Sequence, residues 1–159
     1  MSPAYDLLLF RINKLASIAG QPLVRLCEGR YGITRREWRL ILVLAQDGPL
    51  LSSELARRSR IERARTSAAI SQMVSAGLAQ RVPRAGDRRF VEIHLTDKAR
   101  DIFDSLFPEV LRLNERMLSV LSADEARVFV SLLERLEAQA LANIKETELP
   151  KADRRHRNR

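Results

Sequence analysis

The chain has 159 residues, of which 45% are hydrophobic, so it can bury the core of one domain with extensions. It has no run of about 18 apolar residues, and charges soon interrupt the apolar stretch near its start, so we expect neither a membrane span nor a signal peptide. Its single cysteine excludes an internal disulfide and is typical of a cytoplasmic protein, and its net charge of +8 favours a polyanionic partner.

The first predicted element is a long amphipathic helix over residues 5–29. Its apolar residues recur at helical spacing, beginning with Leu8, Ile12, Leu15 and Ile18. Pro22 predicts either a kink or a break after Gly20, because proline cannot donate a helical hydrogen bond. Gly29 and Gly32 are expected to end the helix.

A second helix is predicted to begin at Thr34, because Thr34 and Glu37 have the spacing of a capping box. It is predicted to end at Asp47-Gly48-Pro49. Its expected apolar face consists of Trp38, Ile41, Leu42, Leu44 and Ala45.

Two shorter helices are predicted next. Ser52 or Ser53 is expected to cap the first of them, which places Leu55 and Ala56 inward and Arg57, Arg58 and Arg60 outward. The second is predicted from about Arg63 to Ser75. Gly77 fits its C-terminal cap, because glycine adopts the left-handed backbone conformation without strain.

A two-stranded ribbon is predicted after these helices. Leu78–Pro83 forms one strand, and Asp87–Thr96 forms the other with strict alternation of apolar and polar residues. The turn between them places arginines at the tip of the ribbon. Helix, turn, helix and basic ribbon is the order of a winged helix-turn-helix, and such a ribbon can follow a DNA backbone or enter a minor groove.

Two further helices complete the prediction. The first starts at Thr96-Asp97 and contains Pro108, which is expected to bend it. The second starts at a further capping box, Ser122–Glu125. Together with the first helix of the chain, they hold more apolar surface than a compact winged helix needs. A two-fold dimer is the simplest way to cover that surface.

The fold class is therefore mainly α with a small β-hairpin wing. We assign a DNA-binding lobe to residues 34–98, a helical dimerisation region to residues 5–30 and 97–146, and a disordered basic tail to residues 150–159. Residues 52–100 carry eleven basic and five acidic side chains, whereas residues 101–150 carry five and ten. Positive charge is thus concentrated on the proposed winged helix and on the tail.

The helix from Arg63 to Ser75 is the candidate reader of the major groove. Arginine can bond two guanine acceptors and glutamine can pair with adenine, while short hydroxyl side chains allow close approach to phosphates. The predicted DNA contacts on this helix are Arg63, Arg65, Thr66, Ser67, Ser71 and Gln72, and those on the wing are Arg84, Asp87, Arg88 and Arg89. The alternative is an ordinary polar surface helix beside a solvated hairpin with flexible arginines.

Other chemistry finds little support in the residue pattern. The spacing of serine, histidine and aspartate does not indicate a catalytic nucleophile, and no glycine-rich phosphate loop occurs. His94 and His156 are far apart, so we predict no metal site, no cofactor and no enzyme. Cys27 is either a buried structural residue, as its place on the apolar side of its helix favours, or a redox sensor.

The sequence resembles the MarR family of bacterial transcription regulators. The segments that carry the resemblance are Ser53–Ala56, Ala76–Arg81, Gly86–Arg89 and Leu95–Arg100. The resemblance implies a dimer built from the first and last two helices that binds a pseudo-palindromic operator in double-stranded DNA. It also implies that Arg89 enters the minor groove while Asp87 orients it.

The resemblance further implies a small aromatic or phenolic acid that releases a repressor from DNA. Candidate ligand-binding residues near the lobe junction are Arg11, Tyr31, Trp38 and Arg39. Two departures stand out, because Ile61–Arg65 is more charged than is usual in the family and Leu51 stands where a capping threonine is common. A winged-helix protein-interaction module, or a non-specific nucleoid-type DNA-binding module, is the alternative function.

Overall fold

The computed structural model describes residues 7–146. It contains seven α-helices and three β-strands in that range. The helices are α1 (Leu8–Ala19), α2 (Gln21–Arg30), α3 (Arg35–Asp47), α4 (Ser52–Ser59), α5 (Arg63–Ser75), α6 (Asp97–Leu118) and α7 (Ala123–Glu146), and the strands are β1 (Leu50–Leu51), β2 (Ala79–Arg84) and β3 (Asp87–Leu95). The predicted basic tail lies outside the described residues.

The predicted first helix is two helices, separated at Gly20. A Cβ atom at Gly20 would lie 2.7 Å from the carbonyl oxygen of Ala16 and 2.7 Å from the guanidinium of Arg35, so the junction requires glycine. Pro22 lies in the first turn of α2, where its missing N–H costs nothing. The prediction for Gly29 is wrong, because α2 continues through it to Arg30.

Helix α3 is the centre of the first compact unit, residues 1–117, which is described here from residue 7. It contacts α2, α4, α5 and β3. Leu40 is therefore fully buried although it lies outside the predicted apolar face. Ile41, also on α3, is fully buried too. Five further elements contribute large, fully buried apolar side chains, which are Cys27, Leu55, Ile70, Met73, Ile93 and Leu106.

The wing is part of a three-stranded antiparallel sheet with strand order β1-β3-β2, not a two-stranded ribbon. Leu50 and Leu51 pair with Ile93 and Glu92 of β3. A strand of two residues is too short to show an alternating pattern, which is why the sequence did not predict it. At the other end, the β2–β3 hairpin closes through Gly86, whose φ of 86° favours glycine.

Helix starts follow the predicted capping boxes in two cases. The Glu37 amide donates to Thr34 Oγ1 at 3.1 Å, and the Thr34 amide donates to Glu37 Oε2 at 2.7 Å. The same reciprocal pair joins Ser122 and Glu125 at the start of α7. The prediction for α4 is wrong, because Leu51 occupies the cap position and its amide donates to Glu54 Oε2 at 3.1 Å. The serines already belong to the helix.

The terminal helices expose many large apolar side chains. On α1 and just before it these are Leu7, Leu8, Leu9, Phe10, Ile12, Leu15 and Ile18. Within the second compact unit, residues 118–159, which is described to residue 146, α7 exposes Val128, Phe129, Val130, Leu132, Leu136, Leu141 and Ile144. Across the described part of the chain, every helix is too short or too polar to cross a membrane.

Candidate nucleic-acid interface

Helix α5 has the predicted bounds and presents a polar outer face. Its exposed residues include Arg63, Arg65, Ser67, Ala68, Ser71 and Gln72, while Ala69, Ile70 and Met73 are buried against the core. Arg65 Nε lies 3.6 Å from Glu62 Oε2, one turn earlier, so its guanidinium stays near the start of the helix. Five of the six predicted contacts on α5 therefore lie on an accessible surface.

Thr66 is the exception, because its side chain is fully buried. Its hydroxyl lies 3.1 Å from the carbonyl oxygen of Glu62 and 3.3 Å from that of Ile61, and it donates within this turn. Thr66 thus stabilises the start of α5 and does not offer a hydroxyl to a phosphate. The sequence already indicated that Thr66 is buried, since it precedes the buried Ala69, Ile70 and Met73 at helical spacing.

The wing tip holds one arginine in a fixed fork. Arg89 Nε donates to Asp87 Oδ1 at 3.0 Å and Arg89 Nη2 donates to Oδ2 at 2.8 Å. The Arg89 amide also donates to Oδ1 at 3.2 Å. These bonds lower the pKa of Asp87 and raise that of Arg89, while 85% of the Arg89 side chain stays exposed. The sequence left it undecided whether Asp87 holds an arginine, and the structure forms this contact with Arg89 in the absence of DNA.

Arg84 is held against the sheet. Its Nε donates to Glu92 Oε1 at 2.6 Å, and its guanidinium carbon lies 5.6 Å from the centre of the Phe90 ring. Glu92 raises the pKa of Arg84, and the pKa of Glu92 falls in turn. His94 Nε2 lies 3.4 Å from the other oxygen of Glu92. Arg88, by contrast, is exposed and makes no ion pair with any residue in the range 7–146.

Arg81, which was not among the predicted DNA contacts, lies between α5 and the wing tip. Arg81 Nη2, on β2, donates to the hydroxyl of Ser71 on α5 at 3.0 Å. The surface thus consists of the polar face of α5, a basic link at Arg81 and the arginine fork at the wing tip. No sequence pattern pairs the two residues, because the contact joins different elements.

A family model for the MarR family matches residues 31–89, the segment from α2 to the wing tip. This segment, which includes α5 and most of the wing, is similar to the MarR family. The uncharacterized HTH-type transcriptional regulator YdgJ of Bacillus subtilis is 28% identical over 105 residues, which cover 66% of this chain and 64% of YdgJ. The match therefore spans just under two thirds of that relative.

Two other similarities extend over more of the chain. The homoprotocatechuate degradative operon repressor of Escherichia coli is 23% identical over 150 residues, covering 94% of this chain and 97% of the repressor. The crystal structure of the PcaV transcriptional regulator of Streptomyces coelicolor superimposes with a TM-score of 0.70 at 22% identity, covering 88% and 94% of the two chains. These matched proteins are transcriptional regulators, not enzymes.

A second candidate site is a concavity of about 800 Å³ in the first unit. Trp38 and Arg39, two of the four candidate ligand residues, line it together with a further basic residue, Arg35. The remaining lining residues are mostly apolar and come from α1, α2, α3, α6 and the α1–α2 junction: Ala16, Ala19, Gly20, Pro22, Leu23, Leu42, Val110, Leu113, Asn114, Arg116 and Met117.

The structure does not place the other two ligand candidates in this concavity. Tyr31 donates its hydroxyl to Glu109 Oε1 at 2.8 Å, beside the Arg30–Glu109 ion pair. Arg11 is exposed on α1 and, within the described range, is not one of the residues that line the concavity. Arg11 and Tyr31 are therefore not brought together with Trp38 and Arg39.

Cys27 is fully buried between α2 and the core. Burial, with a smaller effect of Glu28, raises the pKa of its thiol to about 11. A thiol with that pKa stays protonated at neutral pH and is a poor nucleophile. The structural interpretation of Cys27 is therefore favoured over the redox sensor.

Proposed function

We propose that the protein is a dimeric, sequence-specific DNA-binding repressor that a small aromatic acid releases from its operator. The observation that carries the proposal is the exposed polar face of α5 beside a wing whose tip already holds Arg89 in a fork with Asp87. Since the relatives named above are only 22–28% identical to this chain, its operator, partner and ligand are all part of the proposal.

On DNA, α5 would enter the major groove and the wing the adjacent minor groove. Arg63, Arg65 and Gln72 have the side chains that read base edges from such a helix. Arg89 would enter the minor groove, where a narrow groove concentrates negative potential. The fork supports this role because a guanidinium held in advance loses less side-chain freedom when it binds.

The dimer is supported by the exposed apolar residues of α1 and α7. A helix that exposes this many large apolar side chains is usually covered by a partner. A two-fold arrangement could place two α5 helices about 34–36 Å apart, so that they enter successive major grooves on one face of the duplex. This geometry requires an operator with two inverted half-sites.

The effector is supported by the chemistry of the concavity lined by Trp38. Arg35 and Arg39 could pair with a carboxylate, and the mostly apolar wall suits an aromatic ring. The E. coli relative is named for the degradation of homoprotocatechuate, an aromatic acid. A ligand that prefers the off-DNA arrangement would weaken binding by its differential affinity, and couplings of about 1–3 kcal/mol are typical.

The DNA-binding part is tested by selecting bound sequences from a random duplex pool and measuring the winner's affinity at two salt concentrations. A pseudo-palindrome with half-sites about one helical turn apart supports the proposal. Binding without a consensus would instead indicate a non-specific nucleoid-type module. No binding at all would favour a protein-interaction role for the basic surface.

The effector is tested with Trp38, the only tryptophan of the chain, as a fluorescent reporter. We expect homoprotocatechuate or a related aromatic acid to change Trp38 emission in a saturable way and to lower operator affinity. The neutral aromatic alcohol of the same skeleton is the matched control and should do neither. Retention of both effects in an Arg35→Ala, Arg39→Ala double variant would place the ligand elsewhere.

A further inference from the structure

Arg81 and Ser71 form a link between the recognition helix and the wing. Arg81 is exposed on β2, and its Nη2 donates to Ser71 Oγ at 3.0 Å. Ser71 Oγ in turn donates to the carbonyl oxygen of Ser67 at 3.1 Å, one turn earlier in α5. A chain of two hydrogen bonds therefore fixes the Arg81 guanidinium beside the exposed face of the helix.

This arrangement changes the role expected of Ser71. A serine hydroxyl has one proton to donate, and Ser71 donates it to the carbonyl of Ser67. Its oxygen accepts from Arg81. Ser71 is thus a positioning residue, whereas Arg81 keeps N–H groups beyond the one bonded to Ser71, since a guanidinium has five.

The position of Arg81 follows from groove geometry. When a helix lies in the major groove and its wing reaches the adjacent minor groove, a sugar–phosphate strand runs between the two elements. Arg81 lies on β2 at the point where it bonds α5, which is where that strand must pass. Phosphate contacts of this type fix the register of a protein on DNA without reading bases.

We propose that Arg81, held by Ser71, is a DNA phosphate-binding site between the recognition helix and the wing. The inference rests on the proposed DNA-binding function. A guanidinium binds phosphate through two parallel N–H bonds, and one that is already oriented forms them with a smaller loss of freedom. The site would thereby set the depth at which α5 enters the groove.

The test is the salt dependence of operator binding by wild type, Arg81→Ala and Arg81→Lys. Each phosphate neutralised adds about 0.9 to the slope of log affinity against log salt. We expect Arg81→Ala to lower the slope by about two, because a dimer carries two copies of Arg81, and to lower the affinity by about tenfold, with an unchanged selected consensus. Arg81→Lys should keep most of the slope. Arg112→Ala, an exposed arginine on α6 apart from α5 and the wing, is the matched control and should leave both unchanged.

Ser71→Ala tests whether the hydrogen bond from Arg81 to Ser71 contributes to phosphate binding by Arg81. We expect it to lower affinity by a few fold in the wild-type background and to have no effect beside Arg81→Ala, because Ser71 acts through Arg81. A wild-type slope for Arg81→Ala would overturn the phosphate site while leaving the proposed function intact, even if this variant had a lower melting temperature. Failure of the wild type to bind duplex DNA would overturn both.

Discussion

Asp87 and Arg89 form an ion pair that orients a guanidinium at the tip of the wing. The three hydrogen bonds to Asp87 hold the Arg89 guanidinium at the tip while most of its side chain stays in solvent. Because the pKa of Asp87 is lowered, the carboxylate is charged throughout the neutral range. The fork is lost only as the pH falls through that lowered pKa, well below the conditions of DNA binding.

We expect Arg89→Ala to weaken operator binding by about tenfold or more and to reduce the salt slope by about two, because a dimer loses one charged minor-groove contact in each half-site. Fluorescence anisotropy with a labelled operator at several salt concentrations measures both quantities. Arg88→Ala removes the same charge from the neighbouring residue, which lacks an acidic partner among residues 7–146, and should have a smaller effect. Equal effects of the two variants would show that the fork does not matter.

Cys27 gives a second prediction at the scale of one residue. With a pKa of about 11, only ~0.1% of its thiol would be ionised at pH 8, and the side chain is inaccessible. We expect a thiol reagent such as DTNB to react with the native protein only on the timescale of unfolding and to react at once in guanidinium chloride. Rapid modification of the native protein, with loss of DNA binding, would restore the redox interpretation.

At the scale of elements, a capping box fixes the residue at which α3 begins. The Thr34–Glu37 box satisfies the backbone at the start of α3, the helix on which the lobe packs. We expect Thr34→Ala to lower the free energy of unfolding by ~1 kcal/mol, the usual contribution of such a cap. Urea denaturation measures it.

Ser53→Ala is the matched control for this prediction. Ser53 is exposed inside α4, where the sequence suggested a cap and the structure places Leu51 instead. The change should lie within about 0.5 kcal/mol of wild type, as is usual at the surface. A loss as large as that of Thr34→Ala would mean that Ser53 caps α4 after all.

The elements with regular patterns could be predicted from the sequence, and the exceptions have physical causes. Helical periodicity and capping residues located α3, α5 and α7, and alternation located β3. Strand β1 has only two residues, so it exists through its pairing with β3 and not through its own pattern. Leu40 is buried because α3 is covered on several sides, which no single helical face reveals.

The candidate site was predictable to the extent that it depends on residue type and exposure. The wing arginines and the outer face of α5 were identified, because charge and spacing mark them. Thr66 was wrongly predicted to contact DNA, since a hydroxyl can donate equally well to a backbone carbonyl at a helix start or to a phosphate. Contacts between elements that are apart in sequence, such as Arg81 with Ser71, require the tertiary structure.

At the scale of the whole molecule, the proposed dimer makes a direct prediction about oligomeric state. Leu15 lies on the apolar face of α1 and is 51% exposed in the single chain. We expect Leu15→Glu to shift the protein to a monomer in sedimentation analysis, because burying an unpaired carboxylate in an apolar interface is costly. Operator affinity should fall by at least ~100-fold, since the two half-sites are then bound separately.

Lys14→Glu provides the control, because it makes a larger charge change at an exposed neighbour on the same helix. Circular dichroism should show native helix content for both variants. If Leu15→Glu remained a dimer with unchanged DNA affinity, α1 would not contribute to the interface.

Leu51 belongs to two elements at once. It ends β1, where it pairs with Glu92 of β3, and it caps α4, which begins at the next residue. The wing and the helix-turn-helix are thus joined without an intervening loop. Each half of a dimer would therefore meet DNA as one rigid unit, which cannot lengthen to follow a displaced half-site. An extra base pair at the centre of the operator moves the half-sites apart by about 3.4 Å and rotates them by about 35°, and we expect it to abolish tight binding.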